Sequence, residues 1–131
     1  MFPEIKVERT KTPKPKPNES NLSFGHIFTD HMFIMDYQTG KGWYDPRIVP
    51  YGELNFEPSI MVFHYGQATF EGLKAYKAKD GRILLFRPSK NMERMNISND
   101  RVCIPKLDVD FAVHAIKTLV NYEKDWVPGA E

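Results

Sequence analysis

The sequence predicts an α+β fold, an antiparallel sheet with two packed helices. Three observations predict it. Short runs of β-branched and aromatic residues fill the earlier part of the chain, turn signals such as Asp80-Gly81 separate them, and a 3.6-residue apolar stripe arrives only afterwards. Strands first and helices later is the order of an α+β domain. The 131 residues suit one hydrophobic core, and 41% of them are hydrophobic, an ordinary value for a globular chain.

The elements follow in order. Residues 1–20 read as a basic, Pro-rich arm, in which residues 1–17 set Lys6, Arg9, Lys11, Lys14 and Lys16 against Glu4 and Glu8. Its Lys11–Pro17 run suits polyproline II or extended chain, serving either as a basic docking arm or as a strap or disordered terminus. Residues 21–131 read as the domain. Ile27–Asp36 is expected as a strand, with Thr29, His31, Phe33 and Met35 on one face and Phe28, Asp30, Met32 and Ile34 on the other. A turn at Gln38–Gly42 and an aromatic strand at Trp43–Asp45 complete a hairpin. Arg47–Tyr51, bounded by Pro46 and Gly52, reads as a separate, shorter extended piece.

Asn55–Pro58 then punctuates the chain before the apolar run Ile60–Tyr65, and the ambiguous Gly66–Glu71 is read as one short helical turn. Gly72–Lys77 and Arg82–Phe86 flank Lys79-Asp80-Gly81, a strong hairpin signal. Pro88 ends this hairpin, and Ser89 is placed to cap a helix running to about Asn99. Met92 and Met95 turn inward from that helix, while Asn91, Arg94, Ser98 and Arg101 share its polar face. Asp108 caps the second helix, whose stripe is Val109, Ala112, Ala115, Ile116, Leu119 and Val120. Asp125–Glu131 is turn-like.

Composition excludes several classes. No window approaches the roughly 18 uncharged apolar residues of a membrane span. Glu4, Lys6, Glu8 and Arg9 read against a signal peptide. Cys103 is the single cysteine, so no internal disulfide is possible and a reducing, cytoplasmic compartment is expected. It reads as a small buried apolar residue. A formal charge of +1 argues against nucleic acid as the main partner.

Chemistry-bearing residues are few. His26, His31, His64 and His114 lack ligand spacing, and no metal site is expected. No nucleophile elbow, P-loop or dinucleotide fingerprint occurs, and no catalytic residue is nominated. What stands out is His64–Tyr76, where Gly66 and Gly72 frame a hydroxyl, a phenyl ring and a carboxylate. Read blind, Tyr65 and Phe70 suit core aromatics or pocket walls, Lys74 a solvated strand end, and Arg94 a solvated helix face or a bidentate anion contact.

The motifs go further than pattern. Phe24-Gly25, Phe28-Thr29-Asp30-His31-Met32, Gly42-Trp43, His64-Tyr65, Phe70-Glu71-Gly72-Leu73-Lys74-Ala75, Leu85-Phe86-Arg87-Pro88 and Asn91-Met92-Glu93-Arg94-Met95 occur in that order. Together they closely resemble the branched-chain amino acid aminotransferases, pyridoxal phosphate enzymes of fold type IV. The likeness runs from about Leu22 to Trp126. It implies that Arg94 binds the cofactor phosphate, that Phe24, Tyr65 and Phe70 wall the substrate side-chain pocket, and that Lys74 lies near that pocket with a secondary structural or charge role.

The resemblance also implies amino-group transfer between leucine, isoleucine or valine and 2-oxoglutarate, and a homodimer for the parent enzyme. In that family the cofactor lysine lies in a larger C-terminal domain, and no lysine here sits in a matching segment. The family's small domain also continues past Gly129 into a further strand. The expectation is therefore a truncated small domain, inactive alone. The alternatives are another fold-type IV enzyme, such as a D-amino acid transaminase or aminodeoxychorismate lyase, or a non-catalytic self-associating module. The Phe24-Gly25 and Thr29-Asp30-His31 segments favour the branched-chain group.

Overall fold

The computed structural model describes residues 1–129. Ala130 and Glu131, assigned above to the turn-like end, lie outside the described residues. The strands are β1 (Lys6–Val7), β2 (His31–Gln38), β3 (Gly42–Pro50), β4 (Ala75–Lys77) and β5 (Ile83–Leu85). The helices are α1 (Met61–Tyr65), α2 (Pro88–Arg101) and α3 (Val109–Tyr122), with single 3-10 turns at Glu19–Asn21 and Lys124–Trp126. The fold is α+β, with α2 packed on α3 and α3 packed on β2. The strands divide between a three-stranded sheet in the order β1-β3-β2 and a separate β4-β5 hairpin. β2 and β3 run antiparallel, as do β4 and β5, and β1 joins β3 in parallel.

The two extended pieces expected on either side of Pro46 are one strand. Between Ile34↔Arg47 and Asp36↔Tyr44 the β3 side carries one residue more than β2, so Asp45 and Pro46 form a bulge. Asp45 has φ +51° there, and the missing proline N–H costs no ladder bond. The sheet's first hairpin strand also begins later than the apolar pattern suggests, at His31 rather than Ile27. The cause is Lys14: its ammonium binds the carbonyls of Phe28 and Thr29 at 2.9 and 2.7 Å, taking those acceptors away from any ladder.

Three further expectations need correction. The helical turn placed at Gly66–Glu71 lies earlier, at α1, and Gly66 closes it with φ +57°. Ser89 does not cap α2. Pro88 occupies the first turn, where its absent N–H is no loss, and Arg87 precedes it in the left-handed region without a side-chain cap. Cys103 is exposed rather than buried. It holds φ +57° just after α2, and the N–H of Ile104 reaches back to the Asn99 carbonyl at 2.9 Å, so Cys103 fills the glycine position of a Schellman ending. Asp108 caps α3 as read, accepting from the Phe111 N–H at 2.7 Å.

The apolar core is small. Among the described residues the buried apolar side chains of sheet and helices are Pro46, Ile48, Met92, Phe111 and Ala115, with Ile48 fully covered. Side-chain clamps onto backbone supplement it. Asn96 exchanges two 2.8 Å bonds with the backbone of Leu107, and the buried Asn99 accepts from Thr69 Oγ1 at 2.6 Å. The basic arm lies against the sheet: beyond β1, the N–H of Glu8 donates to the Ile48 carbonyl at 2.9 Å. Among the described residues no helix is long and apolar enough to cross a membrane.

Candidate functional site

Along Gln67–Gly72, between α1 and β4, half-buried and exposed residues alternate. Gln67, Thr69 and Glu71 turn toward α2 and the chain just beyond it. Gln67 Nε2 donates to the Val102 carbonyl at 2.8 Å, Thr69 Oγ1 donates to Asn99, and Glu71 meets Asn91 and Arg94. Ala68, Phe70 and Gly72 consequently turn outward and are exposed. One strip of chain thus offers a polar edge to the helix and an aromatic edge to solvent.

Arg94 and Glu71 form a bidentate pair. Nε of Arg94 donates to Oε2 of Glu71 at 2.7 Å, and Nη2 donates to Oε1 at 2.5 Å. Asn91 Nδ2 donates to Oε1 at 3.0 Å and also to the Gly72 carbonyl at 2.9 Å. The N–H of Gly72 adds a fourth donor to the carboxylate at 3.0 Å. The Arg94 guanidinium, followed by Asn91, pulls the Glu71 carboxyl down to about 2, against the opposing effect of its covering. Glu71 in turn raises the Arg94 pKa. The Glu71 side chain is 5% exposed while that of Arg94 is 67% exposed.

This geometry fits an anionic group at Arg94. A guanidinium carries five N–H donors, and the pair with Glu71 engages one on Nε and one on Nη2. The remaining donors lie on an outer, solvent-facing edge with the planar spacing that suits phosphate oxygens. The donor set therefore suits a phosphate group or another oxyanion.

The other nominated residues sit apart. Phe24, Phe70 and Tyr65 are 99%, 85% and 79% exposed. The chain's own described residues do not close a pocket over them. Gly72 is not forced by crowding, because a Cβ there would lie 3.6 Å from the Phe70 ring, an ordinary contact. Lys74 lines a groove of about 750 Å³ with Glu19, Leu22, Tyr76 and Gly129, to which none of the other nominated side chains contributes. Its ammonium sits 5.2 Å above the Tyr76 ring.

Sequence reasoning did not nominate Glu71 and Asn91. The signal was available in the alternation of polar Gln67, Thr69 and Glu71 beside a helix whose polar face offers Asn91 and Arg94. It also missed a second polar cluster. Asp30 accepts from the Lys14 N–H at 2.9 Å and from Trp126 Nε1 at 3.3 Å, and the adjacent buried His31 bonds Glu123.

No family model matches the chain. Individual relatives do. Over 127 residues, 97% of its length, the chain is 60% identical to Branched-chain-amino-acid aminotransferase 2 of Bacillus subtilis (strain 168), covering 35% of that protein. It is 56% identical over 124 residues to Branched-chain-amino-acid transaminase 1 of the same strain, with 93% of this chain and 35% of the relative covered. The mitochondrial branched-chain-amino-acid aminotransferase of Schizosaccharomyces pombe is 46% identical over 124 residues, covering 95% of this chain and 29% of that protein. By sequence the chain is similar to branched-chain-amino-acid aminotransferases, and it spans about a third of the length of the relatives it matches.

Proposed function

We propose that these residues serve as the small, N-terminal domain portion of a branched-chain amino acid transaminase, with residues 1–20 as its arm. The observation that carries the proposal is the Arg94 guanidinium, fixed on one edge by Glu71 and open on the other. In the intact enzyme Arg94 would hold the phosphate of pyridoxal phosphate. The cofactor, when bound, supplies the electron sink for moving an amino group between a branched-chain amino acid and 2-oxoglutarate.

Phe24, Tyr65 and Phe70 would wall the substrate side chain, excluding water from it, with each buried methylene worth about 0.8 kcal/mol. Lys74, which lines a separate groove, would keep a secondary structural or charge role. The strong exposure of these rings supports covering by the remainder of a full-length enzyme and assembly as a homodimer. The lengths of the relatives support catalysis requiring more than these 131 residues. A cytoplasmic setting suits the solitary cysteine.

The test is a chimera in which residues 1–129 replace the matching part of the Bacillus subtilis relative. Transfer from leucine to 2-oxoglutarate is expected, and preferential turnover of D-alanine would overturn the substrate assignment. The 131-residue chain alone should show no turnover. A visible absorption band formed with pyridoxal phosphate, and lost on replacing one of the chain's own lysines, would overturn that part.

A further inference from the structure

We infer that Glu71 is a positioning residue for Arg94, setting the direction in which the guanidinium presents its free donors to a phosphate. The inference rests on Arg94 being a phosphate ligand and adds a residue to that function.

The carboxylate cannot itself meet a ligand. Oε1 accepts from Arg94 Nη2, Asn91 Nδ2 and the Gly72 N–H, and Oε2 accepts from Arg94 Nε. An ionised carboxylate offers about four acceptor sites, so Glu71 is close to saturated. Its side chain is almost wholly covered, whereas Arg94 projects outward. The carboxylate is therefore the anchor and the guanidinium the projecting group.

The anchor is braced from behind. Both Asn91 Nδ2 bonds go to this corner, one to Glu71 and one to the Gly72 carbonyl. Asn91 and Arg94 lie three residues apart on α2, so one helix face supplies both the brace and the projecting cation. Charge is essential to the arrangement. Four donors converge on two oxygens, and an amide would turn an N–H₂ toward Arg94 Nε or toward Asn91, placing donor against donor. The pair is also net neutral. Phosphate affinity at Arg94 then depends on the direction of its N–H groups as well as on charge, and direction is what Glu71 supplies.

Two opposed outcomes separate positioning from attenuation, because Glu71 also neutralises the cation beside it. The experiment titrates inorganic phosphate into the 131-residue chain and follows the Arg94 Nε–H resonance by NMR. Glu71→Gln should weaken phosphate binding on the order of tenfold, the effect of one charge-assisted hydrogen bond. Glu71→Asp should recover part of it, and Asn91→Ala should weaken binding while leaving Glu71 in place. Thermal unfolding of each variant is followed in parallel, and phosphate binding is compared at a temperature below every variant's unfolding transition.

Equal or tighter phosphate binding by Glu71→Gln overturns positioning and makes Glu71 a damper on Arg94, with the phosphate role of Arg94 intact. Phosphate binding that survives undiminished in Arg94→Gln, or no saturable response in the unsubstituted chain, overturns the phosphate role itself. A purely structural Glu71 would alter melting without altering the phosphate response of folded variants, and that result also overturns the inference.

Discussion

The backbone N–H of Thr10 donates to Nε2 of the buried His31 at 2.9 Å, while Nδ1 of the same ring meets Glu123. With Nε2 accepting, the ring proton sits on Nδ1 and points to the carboxylate, so His31 is the neutral link between the arm and the segment after α3.

Replacing that link should loosen the arm and the helix end together. His31→Leu leaves the Thr10 N–H and the Glu123 carboxylate without their partner, at a cost of about 1–3 kcal/mol. Urea unfolding measures the loss. Hydrogen exchange should show faster exchange at Thr10 and Lys14 than at the core strand residue Ile48.

Asp30 should make the arm acid-sensitive. The Lys14 N–H, opposed by desolvation and aided by Trp126, holds its pKa below the ordinary 3.8. A carboxyl depressed by folding contributes stability that is fully present above its unfolded value and is lost as pH falls through its folded value. Arm attachment is therefore expected to persist to pH 4 and fade below it. Asp30→Asn should weaken the arm at neutral pH and flatten this dependence, as read from Trp126 fluorescence between pH 2 and 6.

Cys103 should tolerate glycine better than its own side chain. It holds φ +57° at the position after the α2 cap, and it is exposed, so little packing is lost. Cys103→Gly is expected to raise stability by about 0.5–1 kcal/mol, the penalty of a left-handed side-chain residue less the added unfolded-state entropy. Thermal unfolding under reducing conditions measures it.

Local chemistry was legible in the sequence where one segment decides the outcome. Asp80-Gly81 specifies the β4-β5 turn, and Asp108 with the following stripe specifies α3, because the relevant partners lie within a few residues. Pro46 misled because proline usually ends a strand, and only the pairing with β2 reveals the bulge that accommodates it. The burial of Cys103 was inferred from its chemical type, while its backbone angle comes from the helix ending. Arg94 was reached through the family's motif, but its partner Glu71 lies 23 residues away on a non-helical segment. Periodicity cannot pair residues across such a gap.

Asp30 joins the arm to the far end of the fold: Lys14 lies 16 residues from it and Trp126 lies 96. Loop closure over the longer span carries the larger entropic cost and is helped by prior formation of the strands and both long helices. The junction is therefore expected to form late in folding, on the native side of the rate-limiting barrier. Weakening it should speed unfolding while leaving the folding rate nearly untouched, so this one carboxylate would govern how long the native state lasts more than how fast it is reached.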